Sequence, residues 1–171
     1  MATEPLVVGL ISDTHGLMRP EALAALGGVE RIVHAGDVGA PEVLASLRAI
    51  APVTAVRGNN DRGAWAARLP EQATLTIRGH RLLVVHDRKA VGRLGLAGRT
   101  AVVVCGHSHR PGVDRVDGIL WINPGSAGPR RFSLPVTVAL LTVDARRLHA
   151  EIVPLAVARR AQTSTATLKP P

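Results

Sequence analysis

Seven side chains carry donor atoms suited to metal ions, each where an apolar run gives way to polar residues: Asp13 and His15, Asp37, Asn59, His86, and the pair His107 and His109. Two carboxylates, one amide and four imidazoles make a mixed oxygen and nitrogen set. Such a set suits first-row divalent cations such as Mn, Fe, Co, Ni or Zn, and it suits calcium poorly because calcium is held by oxygen. Seven ligands exceed the need of one ion. Two ions about 3.5–4 Å apart, bridged by a carboxylate, would use them all and leave open positions for a bridging hydroxide.

Each residue also has a plainer reading. A His-x-His pair arises by chance, and a histidine at a strand end is often an ordinary hydrogen-bonded residue. Asp13 and Asp37 can serve as helix N-caps, and Asn59 and Asn60 suit a turn that visits left-handed backbone. The series as a whole, more than any member, favours metal. His34, inside an apolar run, is read as structural, as are His80 and His149 in turn or polar settings. Cys105, after three valines, is read as a buried apolar residue. Asn123-Pro124-Gly125-Ser126 is a compact turn that either lines the site or merely shapes it. Arg130 and Arg131 either meet a substrate phosphate or face solvent, and Asp61 either orients a neighbouring group or caps its turn.

The elements that must position these groups are visible in the hydropathy pattern. Leu6–Ile11, Arg31–Ala35 and Val53–Val56 are apolar runs that read as buried strands, and Pro20–Leu26 and Pro41–Ala49 between them read as short helices opened by proline. Alternation of this kind argues for parallel strands with functional groups at their carboxyl ends. The second half differs. Ala73–Ile77 with Leu82–Val85, Val113–Val116 with Ile119–Ile122, and Val136–Val143 with Leu148–Val153 read as hairpins. Lys89–Leu96 reads as a helix and Ala101–Cys105 as a strand.

At 171 residues the chain suits one core, with a domain expected over residues 1–158 and a disordered basic tail over 159–171. One cysteine permits no internal disulfide, and no signal peptide or membrane-length apolar run is evident, so a cytoplasmic protein without a membrane partner is expected. The net charge of +8 raises nucleic acid as a partner, yet aromatic residues are only 2% and Tyr is absent, so base-stacking platforms are scarce and no specific nucleic acid is expected. A positive field still favours phosphate-bearing ligands.

The series Asp13-x-His15, Gly36-Asp37, Gly58-Asn59-Asn60-Asp61, His86 and Gly106-His107-x-His109 resembles the five-block signature of the calcineurin-like metallophosphoesterases. The short length and the Asn123–Ser126 turn are most similar to its small bacterial and archaeal phosphodiesterase branch. The resemblance implies an α/β fold, a two-sheet β-sandwich with helices on both outer faces. It implies that Asp13, His15 and His109 hold one ion, that Asn59, His86 and His107 hold the other, and that Asp37 bridges. Manganese is the first expectation for the metal, with nickel, iron, zinc, cobalt or magnesium as alternatives. The implied reaction is in-line attack of a metal-bridging hydroxide on a small phosphodiester or nucleotide-like substrate, with Asp37, Asn59, Asn60 and Asp61 in catalytic roles. A phosphomonoesterase, a nucleotide pyrophosphatase or a non-catalytic scaffold like the retromer subunit remain alternatives, and a homo-oligomer is left open. Two departures stand out: Asn60 replaces a histidine that many relatives carry and cannot deliver a proton at neutral pH, and Asp87 follows His86 where glycine is usual.

Overall fold

Leu6–Ile11 forms strand β1, whose last four residues are all buried, as expected of a strand covered on both faces. The chain continues through α1 (Pro20–Ala25), β2 (Arg31–His34), α2 (Pro41–Arg48) and β3 (Val53–Ala55). Both helices carry proline in their first turn, with Glu21 and Glu42 beside it, which suits the free amides and partial positive charge of a helix start. Val43, Leu44 and Leu47 form the buried face of α2. Neither Asp13 nor Asp37 caps a helix, because Arg19 and Ala40 occupy the N-cap positions.

The computed structural model describes residues 4–94, 96, 99–131 and 133–157. The expected tail, residues 159–171, lies outside the described residues. After a 3-10 turn at Ala66–Arg68 come β4 (Gln72–Ile77), β5 (His80–Val85), α3 (Ala90–Leu94), β6 (Thr100–Val104), β7 (Gly112–Val116), β8 (Ile119–Asn123), β9 (Thr137–Val143) and β10 (Leu148–Pro154).

The strands form two five-stranded mixed sheets, ordered β10-β9-β1-β2-β3 and β4-β5-β6-β8-β7. In the first, β1, β2 and β3 run parallel while the β9–β10 hairpin adds antiparallel to β1. In the second, β5, β6 and β8 run parallel, flanked by the antiparallel edges β4 and β7. Val8, Leu10 and Val33 from one sheet meet Leu82, Val84, Val102, Val104 and Ile122 from the other in a dry central layer. On the outer face of the first sheet, Ile11 and Ile32 pack beneath Ala22, Leu26, Val43 and Leu47 of the helical connections. The outer face of the second sheet has a smaller cluster, in which Val91 of α3 joins Leu83, Val85, Val103 and Cys105. The result is the expected α/β sandwich, with a thinner helical cover on the second face.

Parallel strands share a direction, so β1, β2, β3, β5, β6 and β8 all release the chain at one end of the sandwich. The hairpin turns gather at the other. Arg78-Gly79 and Asp117-Gly118 each have positive φ at both residues, as two-residue turns between twisted antiparallel strands require. His80 Nε2 donates to the Asp144 carbonyl at 2.9 Å, joining two turns of that end across the sheets.

Candidate metal centre

The pairing of β1 with β2 continues past both strands. The amides of Asp13, His15 and Gly16 donate to the carbonyls of Gly36, Asp37 and Val38 at 3.0, 3.0 and 2.8 Å. The two loops therefore run side by side, which brings Asp13, His15 and Asp37 to one place. In the other sheet the Gly106 amide donates to the His86 carbonyl at 2.9 Å, setting the ends of β5 and β6 together.

The backbone bends sharply to aim these side chains. Asp13, His15, Asp37, His107 and His109 have φ between 47° and 68°. This left-handed conformation costs a non-glycine residue roughly 1–2 kcal/mol, and such strain gathers at functional sites. Two glycines let the loops close. A Cβ on Gly58 would collide with the Asp37 amide nitrogen and Oδ1, and one on Gly106 would sit 2.6 Å from Asp13 Oδ2.

The polar atoms converge in two groups. His109 Nε2 lies 3.3 Å from Asp13 Oδ1 and 3.3 Å from His15 Nε2, with the two rings 5.3 Å apart. Asn59 Oδ1 lies 3.0 Å from His86 Nε2 and 3.1 Å from His107 Nδ1, and those rings stand 5.1 Å apart at 81°. His107 and His109, two residues apart in the chain, thus belong to different groups. Asp37 Oδ2 lies between the groups, 3.4 Å from His86 Nε2 and 3.9 Å from His15 Nε2. Asp13 also faces both, since its ligand atom falls within 4.8 Å of those of Asp37 and His86 as well as those of His15 and His109.

This arrangement fits cations. His86 Nδ1–H donates to the Ala35 carbonyl at 2.8 Å, which sets Nε2 facing the Asn59 and Asp37 oxygens at 3.0 and 3.4 Å. That position takes a positive centre, either the Nε2 proton or a bound cation. In the other group, Asp13 Oδ1 is buried without a hydrogen-bond donor. Buried acceptors that lack donors are expensive, and a divalent ion bound by carboxylate and imidazole satisfies them.

Electrostatics agree with the geometry. Burial alone would raise the Asp37 pKa, but hydrogen bonds from His86 and from the backbone and side-chain amides of Asn60 outweigh it and hold the carboxyl well below its usual range. Burial lowers the His86 pKa, and its hydrogen bonds to Asp37 and the Ala35 carbonyl reverse that into a net rise. The field that draws a proton to His86 Nε2 would draw a cation equally. For His15, burial is the largest influence and Arg131 adds to it; they prevail over the opposing pull of Asp37, and the pKa falls.

The remaining predicted residues play supporting parts in the geometry. Asn60 donates to both Asp37 oxygens, from its backbone amide at 2.8 Å and from Nδ2 at 2.7 Å. Asp61 is buried and turns away from the imidazoles, accepting from the Gly39 amide at 2.7 Å and the Gly58 amide at 2.8 Å. Asp87 Oδ1 accepts from the Lys89 amide at 2.9 Å beside the entry to α3.

Three further residues brace the site. The Ser12 hydroxyl lies 2.5 Å from Asp13 Oδ2 and 2.9 Å from the Gly125 carbonyl. His34 is fully buried; its Nε2–H donates to Thr14 Oγ1 at 2.9 Å, Thr14 donates to the Val38 carbonyl at 2.8 Å, and Nδ1 accepts from the Gly36 amide at 3.2 Å. Burial pushes its pKa down to about 4, so it is neutral at pH 7. Asn123 Nδ2 lies 2.9 Å from both the Gly106 carbonyl and Ser108 Oγ, bracing the loop that carries His107. The sequence marked His34 as structural and Asn123 as part of a turn that lines or shapes the site, whereas Ser12 carried no signal.

The family model for the calcineurin-like phosphoesterase superfamily domain matches residues 6–146. A probable metallophosphoesterase of Methanothermobacter thermautotrophicus is 34% identical over 160 residues, spanning 86% of this chain and 92% of that protein. Among solved structures, vacuolar protein sorting 29 of Cryptosporidium parvum superposes with a TM-score of 0.78 at 18% identity, covering 90% of this chain and 93% of that one. An archaeal phosphodiesterase gives a TM-score of 0.72 at 22% identity, covering 86% of this chain and all of the other. The two-sheet sandwich is thus shared with these structures, and a third of the matched sequence with the archaeal relative. The chain belongs to the calcineurin-like phosphoesterase superfamily.

Proposed function

We propose that this chain is a dinuclear metal-dependent phosphodiesterase, and the observation that carries the reading is Asp37 Oδ2 standing between two histidine groups. In this reading Asp13, His15 and His109 hold one ion, Asn59, His86 and His107 hold the other, and Asp37 is shared. Two bound divalent cations, manganese for preference, would supply hydroxide near neutral pH and neutralise the phosphate oxygens. The chain's own work is positional. Asn60 holds both Asp37 oxygens, and Asp61 ties the loop after β3 to the loop after β2. A cleft of about 420 Å³ beside Asn59, His86 and His107 is lined by Arg57, Arg62 and Arg93 together with Asp61, Glu71 and Asp87, and Arg57 Nη2 is paired with Glu71 Oε1 at 2.7 Å.

Asn60 can donate a hydrogen bond but not a proton at pH 7, which favours diesters with good leaving groups. Residues 1–158 would act as one domain, and the free, buried Cys105 suits a reducing cytoplasm. The test is a panel of bis(p-nitrophenyl) phosphate, p-nitrophenyl phosphate and a nucleoside triphosphate, run with Mn, Ni, Zn, Mg and no metal. The expected result is metal-dependent turnover fastest on the diester and abolished by Asp37→Ala and His107→Ala. Absence of turnover with every metal overturns the enzyme reading, and preference for the monoester or the triphosphate overturns the substrate class.

A further inference from the structure

Beside the metal centre, on the outer face of the second sheet, lies a second cavity of about 690 Å³ that the proposed reaction does not itself explain. Among the described residues, α3 (Ala90–Leu94) is the helix on that face, and none covers its β8–β7 side. Trp121 points outward there from β8, paired with Val103 of β6 on one side and Asp114 of β7 on the other. Pro111 and Cys105 continue the apolar wall, and His107 stands at the boundary with the metal centre. A cavity of this size falls within the range of roughly 300–1,000 Å³ found for small organic ligands.

We propose that this cavity receives a nucleobase, so that the diester cleaved at the metal centre is one of a nucleoside; the inference rests on the phosphodiesterase reading above. Three observations point to a planar, anion-bearing occupant. The indole of Trp121 already accepts a planar cation, since the Arg88 guanidinium carbon lies 4.4 Å from the ring centroid. Flat π-systems stack on such a face regardless of base identity. Arg88, Lys89 and Arg110 outnumber Asp87 and Asp114 in the lining, so a group entering with a phosphate is attracted, and the cavity opens on His107, so the phosphorus can sit at the metals while its organic substituent extends toward Trp121. An alkyl substituent would pack on the apolar wall and the indole but offers no π face to Trp121 or to its partner Arg88, whose Nη1 lies 3.9 Å from Asp114.

The test is calorimetric and needs no turnover. Protein with saturating Mn²⁺ is titrated with adenosine 5′-monophosphate and with ribose 5-phosphate, in wild type, Trp121→Phe and Trp121→Leu. Stacking predicts that the nucleotide binds about ten-fold more tightly than the sugar phosphate in wild type. Trp121→Phe should keep most of that advantage and Trp121→Leu should lose it, while ribose 5-phosphate binds all three alike. Equal affinities in wild type, or an advantage that survives Trp121→Leu, would overturn the proposal. Turnover of bis(p-nitrophenyl) phosphate with no nucleotide preference removes the base site and leaves the phosphodiesterase reading intact; a Trp121-dependent preference without any turnover does the reverse.

Discussion

Asp37 and His86 meet at 3.4 Å, although they come from different sheets, and this contact ties the carboxyl end of β2 to that of β5. The carboxylate is held ionised by hydrogen bonds from His86 and Asn60, and it faces His15 as well. A cation there relieves the crowding of acceptors. Adding Mn²⁺ to chelator-treated protein should therefore raise the melting temperature, with about 2.7 kcal/mol of stabilisation at a hundred times the dissociation constant. Asp37→Asn should abolish most of that response and lower activity by at least about 100-fold, a loss in the range seen when even outer supports of a metal site are removed. Differential scanning fluorimetry with and without EDTA reads the first effect and diester hydrolysis the second. An Asp37→Asn protein that is stabilised by Mn²⁺ as strongly as wild type would sink the bridging role.

Ser12 acts through Asp13. Its hydroxyl lies against Asp13 Oδ2, while the other oxygen, Oδ1, is left for His109. Ser12→Ala should weaken metal binding by about 10–100-fold, as for other outer supports, without unfolding the protein. Saturating metal should then restore most of the turnover. Loss of activity that metal does not rescue would count against a role exerted through Asp13.

Asn60 predicts a steep dependence of rate on the leaving group. With an amide in place of a proton donor, diesters of poorly acidic alcohols should react far more slowly than p-nitrophenyl diesters. Asn60→His should flatten that dependence and raise the rate on alkyl diesters by about ten-fold or more, at the low end for general acid catalysis. A series of aryl and alkyl diesters measures the slope. An unchanged slope would mean that proton delivery does not limit this site.

His34 makes a prediction about stability and pH. Its pKa falls from 6.5 to about 4 on folding because the buried ring resists protonation. Below pH 6.5 the unfolded chain therefore binds a proton that the folded chain refuses, and stability declines from pH 6.5 down to about pH 4. The full loss is about 3 kcal/mol. His86, whose pKa is raised, works in the opposite direction and above pH 6.5, where its stabilisation fades as the pH rises, so the comparison must be with His34→Gln in metal-free protein. Urea unfolding at pH 7 and 4.5 should show wild type losing about 2–3 kcal/mol more than the variant. Parallel losses would assign the acid sensitivity elsewhere.

The order of the chain made much of this site readable. Each of the seven donors ends an apolar run, and strand ends are visible as abrupt changes of hydropathy. The parallel first half was readable from its helical connections, which appear one residue shorter than expected, at Pro20–Ala25 and Pro41–Arg48. The second half of the chain was harder. Its hairpins were legible locally, but the parallel pairing of β6 with β8 depends on a crossover through β7, and the joining of β9 to β1 spans most of the chain. Local pattern carries no record of either. Asp61 illustrates the same limit: its position among polar loop residues suggests chemistry, whereas its oxygens serve the amides of Gly39 and Gly58. Ser12 and His34 act through contacts invisible to periodicity, and the helix expected at Lys89–Leu96 is confined to Ala90–Leu94.

The tight turns at Arg78-Gly79 and Asp117-Gly118 lie at the end of the sandwich away from the metal centre, and they need nothing from it. Surface turns of small and polar residues are where inserted sequence is tolerated best. The molecule therefore has one end on which almost every residue is committed and another on which sequence can be inserted. A tether, a reporter or a second domain grafted at Asp117-Gly118 would travel with the enzyme while the loops that gather its histidines kept their lengths.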